Sequence, residues 1–123
     1  MPTTTIELPM ADPRLERRVA KELSLWWRRR GVDVNHVITR FATLPADRVY
    51  SGPFPLAGSF ALVSCLVSRD RDHSFKRDYA HAVRAVLGPR IPPDRVFVSF
   101  HPTDPADHFT PNTWEQEDVH DPR

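Results

Sequence analysis

The chain has 123 residues, 40% of them hydrophobic and 27% charged, enough for one domain around one core and too few for two. Lys plus Arg (17) nearly cancels Asp plus Glu (16), which excludes a general polyanion binder, and the lone Cys65 excludes an intrachain disulfide and favours a reducing compartment. No basic-then-apolar leader opens the sequence and no apolar run reaches spanning length, so a cytoplasmic protein outside the membrane is expected.

In chain order, Thr3 to Leu8 reads as a β-branched strand stopped by Pro9. Asp12-Pro13 supplies an N-cap followed by proline at the first helical position. Leu15, Val19, Leu23 and Trp26 then recur at helical spacing, and Gly31 ends the helix. Trp26 is predicted in the core, with Trp27 one position round the helix and turned toward another subunit. Val34 to Phe41 reads as a second strand, and a proline-punctuated connector runs from Thr43 to Ala57. The pattern then repeats. Ser59 to Ser68 is an apolar run suited to a buried central strand, with Cys65 inside it. Asp72 or Ser74 caps a second helix bearing Phe75, Tyr79, Ala82, Val83 and Val86, ended by Gly88. Arg95 to His101 alternates, with Val96, Val98 and Phe100 on one side and Phe97, Ser99 and His101 on the other. Gly31 and Gly88 stand 57 residues apart and the starts of the first and third strands about as far, which predicts two copies of β-α-β. A single domain over 1–114 is expected, with a turn or short hairpin from Thr103 to Trp114 and a flexible tail over 115–123.

Pro2 heads this chain. Once Met1 is removed it offers a secondary amine, a group that takes, gives or shares a proton without a side chain. Pro2 before a β-α-β/β-α-β frame, together with Ile91-Pro92-Pro93-Asp94-Arg95-Val96-Phe97-Val98, resembles the tautomerase superfamily, in particular its macrophage migration inhibitory factor branch. That resemblance implies an α+β fold with a four-stranded sheet and two helices on one face. It also implies a homotrimer whose sites surround Pro2 and are walled partly by a neighbour. Ser68-Arg69-Asp70-Arg71 resembles the Arg-x-Arg of the malonate semialdehyde decarboxylase group, in which an aspartate before the second strand also takes part; Asp33 is the nearest candidate. The lysine of the macrophage-factor type is replaced by Val32, and the helix-one histidine of the dehalogenases by Trp26, Trp27 or Arg28, which argues against dehalogenation.

The expected activity is cofactor-independent keto–enol tautomerisation of a small 2-oxo acid. In it Pro2 is the acid–base group, and Arg69 and Arg71 hold the carboxylate through their planar donor forks. Asp33 is the fourth catalytic candidate, and Phe97 and Ser99 are candidate walls of a neighbour's pocket. The alternative within the family is a decarboxylase or hydratase with a cationic Pro2, and a third reading is a non-catalytic trimeric binding protein. A ferredoxin-like RNA-binding domain shares the element order. However, Gly58-Ser59-Phe60-Ala61-Leu62-Val63 lacks the leading cation and second stacking aromatic of that module, so no nucleic acid is expected. His101, Asp104, Asp107 and His108 match no established ligand spacing, so neither a metal nor another cofactor is expected.

Overall fold

A computed structural model describes residues 2–109. Within them, β1 (Thr3–Leu8), α1 (Pro13–Arg28) and β2 (Ile38–Thr43) form the first half. The second half comprises β5 (Ala61–Ser68), α2 (His73–Leu87) and β6 (Val96–Thr103). Between the halves, β3 (Tyr50–Ser51) and β4 (Phe54–Pro55) pair as a short antiparallel hairpin, with Gly52 at φ +59° in its turn. This hairpin lies in the segment the sequence predicted as a connector. The main sheet has the order β2-β1-β5-β6. Its outer pairs are parallel and its central pair, β1 with β5, is antiparallel. This is the α+β arrangement expected from the resemblance.

The two halves are copies in register as well as in order. Thr3 faces Ile38 across β1–β2 and Ala61 faces Val96 across β5–β6, a step of 35 residues in both. Helix caps also correspond: the Asp12 carboxylate accepts from Leu15 N–H and the Asp72 carboxylate from Phe75 N–H. These two caps lie 60 residues apart, so the helices repeat at a different spacing from the glycines. Gly31 sits in a turn at φ +86°, whereas Gly88 is a right-handed cap of α2, and the two glycines are not equivalent.

Alternation sets the layers. Thr4, Ile6 and Leu8 of β1 and Ala61, Val63, Cys65 and Val67 of β5 are buried beneath the helices. Leu15, Val19, Leu23, Tyr79, Val83 and Leu87 meet them from α1 and α2. The other sheet face carries Ile38, Leu66 and Phe97, all exposed in the single chain. On the far side of the helices the solvent meets Arg14, Arg17, Arg18, Lys21, Arg77 and Arg84. Arg95, in the turn before β6, donates to the carbonyls of Ala57 and Ser59 and fixes the entry to β5.

Two boundaries differ from the sequence reading for local reasons. Asp33 accepts from Asn35 N–H and starts a 3₁₀ turn over Val34–His36, which delays β2 until Ile38. Trp27 is 1% exposed and packs in a tilted contact with both Phe75 and Tyr79, so within the protomer it is core rather than surface. The start of α2, with Phe75 and Tyr79, packs over the last turn of α1 and widens the buried stripe there.

Removing the α2 cap tests the local account. Asp72→Ala is expected to lower stability by about 1 kcal/mol, read as a shifted urea midpoint at unchanged slope; no shift would mean that the cap contributes nothing.

Candidate functional site

The topology brings one set of chain segments to one end of the sheet. These are the starts of β1 and β2, the ends of β5 and β6, the last turn of α1 and the first turn of α2. Pro2 lies there, buried, continuing the inward alternation of Thr4, Ile6 and Leu8. Its carbonyl accepts from Ile38 N–H at 3.0 Å, which ties the residue to the β1–β2 ladder. Met1 falls outside the described residues.

Arg69 and Arg71 follow β5 directly and reach the same end, in unequal states. Arg69 N–H donates to Thr103 C=O at 2.9 Å, and its guanidinium stands 3.4 Å from Asp104 Oδ2. The Asp104 carboxylate also accepts from Ala106 N–H and so caps its own turn. The Arg69 side chain is 64% exposed, so this pair is weak, worth roughly 0–1 kcal/mol. Arg71 is half-buried, with its guanidinium 4.4 Å above the Phe75 ring and 5.7 Å from Trp27. A guanidinium held over a ring keeps its in-plane N–H groups available to an acceptor. Among the described residues no carboxylate pairs with Arg71. Its aromatic support was not legible from the Arg-x-Arg pattern, although Phe75 lies one helical turn beyond Arg71 in the sequence.

Asp33 is at this end too, exposed, with its carboxylate committed to the 3₁₀ turn. Phe97 and Ser99 are elsewhere. Phe97 is opposite Leu62, which is opposite Glu7, four positions along β1 from Thr3. That separation is about 13 Å along the strand, so in one protomer neither Phe97 nor Ser99 adjoins Pro2. Ser99 Oγ lies 3.3 Å from His101 Nε2 on the exposed face. Among the described residues no group of three His, Cys, Asp or Glu side chains is placed to hold a metal ion.

Beneath Pro2 sits a polar group of side chains that sequence patterning did not single out. Thr4 Oγ1 and Tyr79 Oη are 2.6 Å apart in the core, and Cys65 is the cross-strand partner of Thr4. Burial pushes the Tyr79 hydroxyl up to about 12, with the Thr4 contact acting against it. The Trp27 indole N–H meets no partner at hydrogen-bond geometry, yet is near enough to that hydroxyl to pull in the same direction as Thr4. Burial likewise pushes the Cys65 thiol up to about 12, again opposed by Thr4. Neither group ionises near neutral pH. They form a neutral floor under the site.

Known structures share this architecture at low sequence identity. The FG41 malonate semialdehyde decarboxylase inhibited by 3-bromopropiolate matches with a TM-score of 0.73 and 14% identity, over 98% of this chain and 99% of that one. A macrophage migration inhibitory factor from Toxoplasma gondii matches at 0.73 and 16%, over 89% of this chain and 96% of that one. A fused 4-OT solved as a symmetric trimer matches at 0.77 and 17%, over 89% and 92%. No protein-family model matches the chain, and no curated protein matches it in sequence. The chain therefore shares the fold of these proteins, which is the fold that the sequence resemblance implied. No helix among the described residues is long and apolar enough to cross a membrane.

The floor of the site has a pH signature. Cys65 and Tyr79 hold their protons more tightly folded than unfolded, where the ordinary values are 9.0 and 10.0. Their contribution is complete below pH 9 and is lost as pH rises toward about 12. Urea unfolding is expected to show a fall of up to about 4 kcal/mol between pH 8 and pH 11. In Cys65→Ala the onset should move up by about one pH unit, to the ordinary tyrosine range. A stability that stays flat over this interval would contradict the buried neutral floor.

Proposed function

We propose that this chain is a cofactor-independent tautomerase-superfamily enzyme acting on a small 2-oxo acid or its enol, working as a homotrimer once Met1 is removed. The observation that carries this reading is Arg71. Its guanidinium, braced on Phe75 and Trp27 and paired with no carboxylate among the described residues, stands at the same end of the sheet as buried Pro2. A cation held by ring faces presents a fixed fork to a carboxylate and loses little freedom on binding it.

In this mechanism the fork of Arg71 accepts the substrate carboxylate, and Arg69 joins it after exchanging Asp104 for substrate oxygen. In this reading the Pro2 nitrogen acts in its neutral form, which burial and guanidiniums at the same end of the sheet favour. It takes the enol O–H proton and delivers a proton to the adjacent carbon, giving the keto acid with no net change in protons. Arg71 spreads the enolate charge that develops between the two transfers. Asp33 stands at the edge of the site. Phe97 and Ser99 reach a pocket only from a neighbouring copy, and the exposed Ile38, Leu66 and Phe97 supply an apolar face for such an assembly. The similarity to a 4-OT trimer supports three copies.

The decarboxylase or hydratase reading retains support from the Arg69–Arg71 pair and from the near-complete overlap with the FG41 decarboxylase. The two differ in the charge of Pro2. Intact mass first establishes loss of Met1. Phenylenolpyruvate ketonisation is then expected to rise with pH through a pKa below about 7.7, the ordinary amino-terminal range. Activity on malonate semialdehyde that falls as pH rises would favour the cationic form instead. Retention of Met1 in natively expressed protein would leave a binding role.

The arginines should separate by magnitude. Arg71→Ala is expected to lower kcat/KM by about 100-fold or more and Arg69→Ala by less than about 10-fold, because among the described residues Arg71 has no carboxylate partner whereas Arg69 is paired with Asp104. Pro2→Ala should cost about 10²-fold or more. Equal losses at the two arginines would remove the distinction drawn from the aromatic support of Arg71.

A further inference from the structure

The opposite end of the sheet holds a cavity of about 280 Å³. It lies where the end of β1 and the start of α1 meet the start of β5 and the end of α2. Its walls are Leu8, Leu15, Phe60 and Ile91, all buried, and exposed Met10 stands at its mouth. Because the two halves are copies in register, this cavity occupies the place that corresponds to the Pro2 end. The corresponding parts have changed character. The turn after β5 brings Arg69 and Arg71, whereas the turn after β1 brings Pro9, Met10 and Ala11. An internal peptide bond before Phe60 replaces the amine. The charges lining the cavity are one Asp12 carboxylate and one Arg90 guanidinium, which cancel.

That pair has a particular spacing. Arg90 Nε and Asp12 Oδ2 are 3.9 Å apart, too far for a hydrogen bond between them. One oxygen placed about 2.8 Å from each can reach both, accepting from the guanidinium and donating to the carboxylate. Asp12 Oδ1 is already taken by Leu15 N–H, which leaves Oδ2 as the acceptor on offer. A group that both donates and accepts, attached to an apolar ring, fits such a place. A carboxylate does not, because Asp12 repels it and Glu16, hydrogen-bonded to Asp12 N–H at 2.7 Å, adds a second negative charge. A purely apolar ring supplies no such bridge and leaves the pair, whose side chains are 62% and 32% exposed, to water. The volume suffices: a dry cavity of about 150 Å³ already admits benzene in another protein. Met10 can adjust over the entrance because its thioether chain is unbranched and flexible.

We propose that this cavity is a second, non-catalytic binding site for a small uncharged one-ring phenol, its hydroxyl bridging Asp12 and Arg90 and its ring among Leu8, Leu15, Phe60 and Ile91. The site is independent of the reaction proposed for Pro2, and the apolar sheet face offered for assembly is on the other side of β1 and β5.

Titration of the full-length assembled protein with p-cresol, followed by amide chemical shifts, tests this. Shifts are expected at Met10, Ala11, Phe60 and Ile91, with a Kd of about 1 mM or tighter for a ring of this size. Toluene and benzoate should each bind at least several-fold more weakly. Ala11→Trp, which places a large ring at the lining, should weaken p-cresol at least 10-fold. Arg90→Gln should reduce its preference over toluene, a readout that survives even if the tryptophan variant folds poorly. Shifts confined to Arg71 and its neighbours, benzoate binding as tightly as p-cresol, or an unchanged preference in Arg90→Gln would each overturn the assignment.

Discussion

The antiparallel seam between β1 and β5 is the contact on which the molecule depends. Each β-α-β half buries only one side of its strands beneath its own helix, and neither closes a core alone. Pairing Thr3 through Glu7 with Leu66 through Leu62 puts both inward faces on one side and brings α1 against α2. The same seam sets the ends. It lays the start of β1 beside the end of β5, which is why Pro2 and the Arg69–Arg71 turn arrive together although distant in sequence. It lays the end of β1 beside the start of β5 at the other end, where the cavity lined by Asp12 and Arg90 opens.

The two ends show how one architecture accepts different chemistry. At the Pro2 end the last turn of α1 ends in Trp26 and Trp27, and α2 opens with Phe75. These rings fill the space between layers and leave a cation braced at the surface. Arg30 uses the same device, its guanidinium 3.5 Å from the Trp26 ring. At the far end Leu8, Leu15 and Ile91 meet the single ring of Phe60, the space is left open, and charges occur as a compensated pair. Packing therefore decides which end offers a fixed cation and which a neutral pocket.

Much of this was legible in the sequence because its causes are local. Asp12-Pro13 and Asp72 start helices by satisfying the first free N–H groups, and the apolar spacing of Leu15, Val19 and Leu23 predicts the buried stripe without knowledge of the partner. The repeated order of strand, helix and strand was readable for the same reason. What escaped depends on distant partners. Asp104 reaches Arg69 only because β5 and β6 run parallel in their particular register. The burial of Trp27 follows from the position of α2, and the Thr4–Tyr79 hydrogen bond joins residues 75 positions apart. The β3–β4 hairpin is two residues per strand, with exposed Tyr50 and Phe54, too short to leave an alternating pattern.

The arginines on the solvent side of the helices give the molecule a property that its net charge of +1 conceals. Positive charge gathers on one broad side, while much of the acidic complement lies in turns and strand ends such as Asp33, Asp47, Asp94 and Asp104. Glu16, Glu22 and Asp78 on the same helices offset only part of that charge, so the helical side stays locally positive and is the side an anionic surface meets most favourably.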